Sequence, residues 1–225
     1  MLAAVIFDFD GVIVDSEPLH YRAFQKVLEP LGLGYGWELY VAEYLGFDDR
    51  DAFREAFKSK RRLLSDSELE RLIGLKAEAF LEIIGSGVVP YPGVIELIRE
   101  ISGALPLAIC SGALRSDIVP ILRQFGLEGL FDVIVTADDV TASKPDPACY
   151  RLTVEKLADR FPHGGIAPER CLVIEDTPGG IAAARAASLA VIGVTNSYPA
   201  GRLTGTLRIV TSLEELSLHD LHLLR

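Results

Sequence analysis

Ala3-Ala4-Val5-Ile6-Phe7-Asp8-Phe9-Asp10-Gly11 opens the chain with five apolar residues that run straight into two aspartates and a glycine. An apolar run of this length, without polar alternation, predicts a strand covered on both faces. The same design repeats downstream. Residues 105–110 run into Ser111-Gly112, and 131–135 into Thr136-Ala137-Asp138-Asp139. Residues 171–174 run into Glu175-Asp176-Thr177-Pro178-Gly179-Gly180, and 190–194 into Thr195-Asn196-Ser197. Helical periodicity fills the gaps: Val94, Leu97, Ile98 and Ile101 recur at i, i+3, i+4 and i+7, as do Ile118, Ile121, Leu122 and Phe125. Thr177-Pro178 ahead of an alanine-rich stretch reads as an N-cap with proline in the first turn. Strands alternating with helices predict an α/β fold with a doubly wound, parallel, Rossmann-like sheet.

One stretch departs from this alternation. From Glu17 to Val89 the periodicity is helical throughout: Phe24, Val27, Leu28 and Leu31 share one face, and Ala52, Phe53, Ala56 and Phe57 another. Ser65-Asp66-Ser67-Glu68 predicts a capping box ahead of a long helix. Gly85-Ser86-Gly87 and Pro90-Tyr91-Pro92-Gly93 read as the return linker. The expected organisation is a core domain of residues 1–16 and 90–225, and an inserted α-helical cap domain of residues 17–89 hinged over it.

In open parallel sheets, ligands bind beyond the carboxyl ends of the strands. Every polar cluster named above falls at such an end, so Asp8, Asp10, Ser111, Asp138, Glu175 and Asp176 are expected on one rim. A single aspartate at a strand end usually caps a turn; acids recurring at successive strand ends in rim-forming order point to chemistry. Carboxylates crowded together raise one another's pKa unless a cation compensates. Hard oxygen donors suit Mg²⁺, which binds one or two carboxylates together with a substrate phosphate. Ser111, the Gly112 N–H and Lys144 supply phosphate-holding groups. An aspartate can carry a phosphoryl group covalently, and a second acid can move the proton.

The 225 residues are 49% hydrophobic and 24% charged, an ordinary balance for a folded domain, with a net charge of −10. That charge disfavours nucleic acid and anionic membrane surfaces as partners. No apolar run reaches the ~20 residues of a membrane span, and the N-terminal run lacks a basic flank. Cys110, Cys149 and Cys171 form no CxxC pair, which fits a reducing, cytoplasmic setting. Lys58-Ser59-Lys60-Arg61-Arg62 reads as a solvated helix end, and Gly32-Leu33-Gly34-Tyr35-Gly36 follows a helix, so it is no dinucleotide loop. A monomer suffices for the architecture.

Four motifs in order resemble the haloacid dehalogenase-like (HAD) superfamily, in its helical-cap subgroup with β-phosphoglucomutase-like and phosphoglycolate phosphatase-like members. They are Asp8-Phe9-Asp10-Gly11-Val12, Cys110-Ser111-Gly112, Ser143-Lys144-Pro145-Asp146 and Val173-Ile174-Glu175-Asp176-Thr177-Pro178-Gly179-Gly180. The resemblance spans nearly the whole chain. It implies that Asp8 is the nucleophile and that Asp10 is the general acid/base, with its backbone carbonyl on the metal. It implies that Ser111, Gly112 and Lys144 hold the phosphoryl group, and that Asp176 and Glu175 serve the Mg²⁺, the latter directly or through water. It implies a phosphatase acting on a small phosphorylated metabolite, a sugar phosphate or phosphoglycolate-like compound. The alternative is a hexose-phosphate mutase, and a receiver-like phospho-acceptor is a distant third. His20, Arg50 and Lys76 lie near the substrate positions of the sugar-phosphate mutases. Arg50, however, stands four residues after Gly46, one further than in the mutase pattern, and Ala77 stands where mutases carry an amide.

Overall fold

The structure is a computed structural model that describes residues 1–224. Its sheet is parallel and six-stranded, in the order β3-β2-β1-β4-β5-β6. The strands are β1 (Ala4–Phe7), β2 (Leu107–Cys110), β3 (Val133–Val135), β4 (Cys171–Glu175), β5 (Ala190–Val194) and β6 (Arg208–Val210). The first five match the apolar runs: β1–β3 begin one or two residues late, β4 extends to Glu175, and β5 coincides with its run. β6 has no such run: only Val210 of its three residues is buried, and its pairing with β5 makes it a strand.

The central strand shows how both faces fill. Val5 and Phe7 of β1 join the cluster containing Ile109, Ile174 and Leu97, while Ala4 and Ile6 join the opposite cluster with Cys110, Val173 and Tyr150. This is the period of two expected of a strand. Among the described residues, nine helices accompany the sheet: α1 (Glu17–Leu28), α2 (Trp37–Leu39), α3 (Asp49–Ser59), α4 (Asp66–Ile84), α5 (Val94–Ile101), α6 (Arg115–Gln124), α7 (Ala148–Arg160), α8 (Pro178–Ala186) and α9 (Leu218–Leu223). All three cysteines are buried. Among the described residues, no helix is long and apolar enough to cross a membrane.

Helices α1–α4 all lie between β1 and the return to the sheet, and they bury a third cluster of their own, including Phe24, Leu28, Phe53, Phe57 and Leu72. A wide π-turn at Tyr40–Tyr44 brings Tyr44 to 4.2 Å, ring to ring, from Tyr35. Only half of the expected capping box forms. Ser65 accepts from the Glu68 N–H, but the Glu68 carboxylate turns outward to Arg71 at 2.8 Å. The two connections to the sheet run side by side: the Asp15 N–H donates to Val89 O and the Tyr91 N–H to Ile13 O.

Candidate active site

The turn after β1 begins the site. The Asp8 N–H still belongs to the sheet, donating to Ile174 O, and the chain then folds back so that Ile13 donates to Phe9 O. Gly11 makes this turn at φ 75°, and a Cβ there would lie 1.9 Å from Asp176 Oδ2. Glycine is therefore required both by the left-handed backbone and by the carboxylate pressed against it.

Lys144 Nζ donates to Asp8 Oδ1 at 2.9 Å, to Glu175 Oε1 at 2.7 Å and to Cys110 O at 3.1 Å. Burial opposes its charge, but Asp8 and Glu175 outweigh burial and hold the ammonium well above its ordinary pKa. Glu175 is fully engaged. Its Oε1 also accepts from Tyr150, and its Oε2 accepts from the Asp176 N–H, the Thr177 N–H and the Thr177 hydroxyl. Gly180 is needed here too, because a Cβ would fall 1.6 Å from Glu175 Oε1. With both oxygens held, Glu175 is better placed to orient Lys144 than to offer an open ligand position.

Asp176 is the opposite case. It is fully buried, and neither carboxylate oxygen has a hydrogen-bond partner; the Ser197 hydroxyl nearby favours the ionised form without reaching bonding geometry. Burial, then the charges of Glu175 and Asp8, push its pKa well up; burial and Glu175 do the same to Asp8. Ligand atoms of Asp8, Glu175 and Asp176 lie within 4.8 Å of one another. A divalent cation would remove this strain, and an all-oxygen donor set that includes the orphaned Asp176 carboxylate fits Mg²⁺.

The Asp10 side chain stands apart from this cluster. Ser16 donates to its Oδ1, His20 Nε2 lies 3.1 Å from the same oxygen, and the Ser111 hydroxyl is 3.5 Å from Oδ2. Burial raises the Asp10 pKa, but His20 and Ser16 overcome it and leave the carboxyl below its ordinary value. Burial and Lys76 depress His20, while Asp10 outweighs them and lifts it. The imidazole is also stacked 4.2 Å from the Phe80 ring.

A cavity of about 70 Å³ lies where these groups converge, lined by Asp8, Asp10, His20, Gly112 and Lys144 among others. Ser111 lines a smaller adjoining cavity together with Arg50. The remaining expectations fare differently. Asp138 does not join the rim cluster: its Oδ2 accepts from the Arg115 N–H and the Thr136 hydroxyl, the turn-capping role of a lone aspartate. Arg50 is bound to Asp48 Oδ2 and Val140 O. Lys76 is fully buried outside the cavity, 2.9 Å from Asp49 Oδ1 and 3.2 Å from Asp117 Oδ2. The cavity further includes Glu17, Tyr40, Asp48 and Asp49, none of which the sequence singles out individually, although the loop of residues 46–50 is expected, with the cap, to set the substrate. The one sequence signal for Asp48 is its N-cap position before α3, where it accepts from the Asp51 N–H.

A parallel sheet with an acidic rim, a lysine-held aspartate and a helical insert defines a class of phosphoryl-transfer hydrolases. The family model of the haloacid dehalogenase-like hydrolases matches residues 5–194, and the chain belongs to that family. It is 32% identical over 206 residues to the "Phosphorylated carbohydrates phosphatase" of Thermotoga maritima, covering 89% of each chain. It is 31% identical to the "Fructose-1-phosphate phosphatase YqaB" of Escherichia coli, covering 85% of this chain and 96% of the other. Its fold superposes on that of CbbY from Rhodobacter sphaeroides, solved in complex with xylulose-(1,5)bisphosphate, with a TM-score of 0.87, 26% identity and coverage of 98% and 99%. A β-phosphoglucomutase from Clostridium difficile shares the fold at a TM-score of 0.84 and 22% identity, covering 100% of this chain and 97% of the other.

Proposed function

We propose that this chain is a Mg²⁺-dependent phosphatase that hydrolyses a small phosphorylated carbohydrate through an aspartyl-phosphate on Asp8. The observation that carries the reading is the pairing of two unlike carboxyls at one cavity. Asp8 is held by Lys144, and Asp10 is paired with His20, whose Nε2 lies 3.1 Å from Asp10 Oδ1. The phosphatase names of the relatives at 31–32% identity support it.

In this reading Asp8 attacks phosphorus and the ester P–O bond breaks. Ser111, the Gly112 N–H and Lys144 hold the phosphoryl oxygens. The leaving oxygen takes the proton held between His20 Nε2 and Asp10 Oδ1, 3.1 Å apart. Asp10, kept ionised by His20 and Ser16, then takes a proton from water, whose oxygen attacks the same phosphorus and returns Asp8 as a carboxylate with release of inorganic phosphate. Asp8, Asp176 and the Asp10 carbonyl would hold the Mg²⁺, which would supply charge neutralisation for the phosphoryl group; Glu175, with both oxygens engaged, would serve it through water. Residues 17–89 act as a cap hinged at the paired connections. The mutase alternative is less well supported, because Arg50 and Lys76, the cations that a second phosphate would need, are already engaged.

The test is phosphate release from a panel of sugar phosphates, phosphoglycolate and nucleotides, with Mg²⁺, with chelator, and with Asp8→Asn. Release that needs Mg²⁺ and falls by several orders of magnitude in the variant is expected. Near-native release by Asp8→Asn would sink the covalent route, and no release from any ester would sink the phosphatase.

A further inference from the structure

The side of the cavity supplied by the helical insert is rich in acceptors. Glu17, Asp48 and Asp49 line it with carboxylates and Tyr40 with a hydroxyl. The nearby cations are matched one by one. Arg50 places Nε and Nη2 at 2.8 and 2.7 Å from Asp48 Oδ2 and gives Nη1 to Val140 O. The Ser143 hydroxyl donates to the same Asp48 oxygen at 2.8 Å, so the pair is anchored to the loop bearing Lys144. Lys76 is shared between Asp49 and Asp117 and does not reach the cavity. His20 is matched by Asp10. Asp49 Oδ2 is nevertheless buried with no hydrogen-bond partner, while Glu17 accepts from the Tyr40 hydroxyl and has no cation within ion-pair distance among the described residues. The two cations that do line the cavity, Lys144 and His20, both belong to the phosphoryl-transfer machinery.

A ligand whose far end carries hydrogen-bond donors would satisfy Asp49 Oδ2 and give Glu17 a second partner beside Tyr40. A far end carrying a second phosphate would meet carboxylates of its own sign in a confined, poorly solvated space, where like charges are strongly disfavoured. We propose that the chain selects phosphate monoesters with a hydroxyl- or ammonium-bearing far end against bisphosphates, with Asp48 and Asp49 as specificity-determining residues. This rests on the phosphatase reading for its substrates. It sets this chain apart from a neighbour solved with a bisphosphate.

The experiment measures binding separately from turnover. The Asp8→Asn protein, loaded with Mg²⁺, is titrated calorimetrically with matched triose, pentose and hexose mono- and bisphosphates. Each bisphosphate is expected to bind at least about tenfold more weakly than its monophosphate. Placing Asp48→Asn or Asp49→Asn in the same background is expected to narrow that ratio at least about threefold, since each removes a carboxylate charge facing the second phosphate and Asp48→Asn also frees Arg50 for an anion. Asparagine retains the N-cap of α3, so the backbone start of that helix survives in Asp48→Asn. Bisphosphates that bind as well as monophosphates, or a panel in which no monophosphate binds, would overturn the inference whether or not phosphate is released. A ratio unmoved in both variants would remove Asp48 and Asp49 from it. Absent turnover of every ester by the unsubstituted enzyme, with the binding preference intact, would instead refute the phosphatase reading alone.

Discussion

Lys76→Met decides whether this lysine holds the structure or holds substrate. The ammonium is fully buried, 2.9 Å from Asp49 Oδ1 on α3 and 3.2 Å from Asp117 Oδ2 on α6, so it ties two helices of the insert to one of the sheet layer. The rings of Phe24 and Phe80 lie 5.4 and 4.9 Å away. Methionine keeps the stem and removes the charge, leaving Asp117, whose side chain is 1% exposed, without a counter-ion. Removing one partner of a buried pair costs about 3–5 kcal/mol. At about 2–4 °C per kcal/mol for a chain of this size, the midpoint should fall by about 6–20 °C. The pH dependence has a definite sign. Burial raises the Asp117 pKa even though Lys76 opposes it, and losing Lys76 raises it further. The folded variant therefore binds more protons than the unfolded chain, and its stability falls as pH rises. The deficit should be full at neutral pH and shrink as pH is lowered toward the unfolded value of about 3.9. Urea unfolding at pH 7 and pH 5 measures both effects. Adding Asp117→Leu to the variant should recover most of the loss by removing the stranded acid. A deficit under about 1 kcal/mol, or one that grows on acidification, would refute this reasoning. So would a raised KM with unchanged stability, which would return Lys76 to the substrate.

Two further outcomes follow from the rim and its flank. Mg²⁺ at a hundred times its dissociation constant should stabilise the protein by about 2.7 kcal/mol, seen as a rise of about 5–11 °C in melting temperature. Asp176→Asn should abolish that rise, and a rise that survives would place the ion elsewhere. On the flank, burial works against the Asp139 carboxylate, but Lys156 and Thr136 prevail and bring its pKa to about 2. Its contribution is therefore present above about pH 3.9 and lost as pH falls through about 2. Asp139→Asn should cost about 1–2 kcal/mol at pH 7, after discounting for its partial exposure, and the denaturation curves of the two proteins should converge near pH 2. A difference that persists there would assign the loss to packing.

What could be read from the residues was whatever depends on neighbours close in sequence or on topology. Five strands announced themselves because each is a buried run broken by turn residues, and a parallel sheet must bring their carboxyl ends to one edge. That put ligand atoms of Asp8, Glu175 and Asp176 within 4.8 Å of one another although they come from the turn after β1, the end of β4 and the turn after β4. β6 escaped because three residues with one buried side chain carry no periodicity, and pairing with β5 alone defines them. Asp138 was misplaced because a strand-end aspartate looks the same whether it caps or reacts; only the Arg115 N–H, 23 residues away, distinguishes the two. The roles of Arg50 and Lys76 were hidden for a related reason. A cation's function depends on whether its partner is already present. Asp117 stands 41 residues from Lys76, and Ser143, which fixes the partner of Arg50, stands 95 residues from Asp48. The same dependence separates the two ends of the cavity. At the sheet end the acids outnumber Lys144 and call for a metal. At the insert end each cation is already met by an acid, and the acceptors left over call for a donor. In the proposed reading, a phosphate monoester with a hydroxylated far end would satisfy both demands at once: its anionic head would complete the metal and lysine, and its donors would complete the carboxylates.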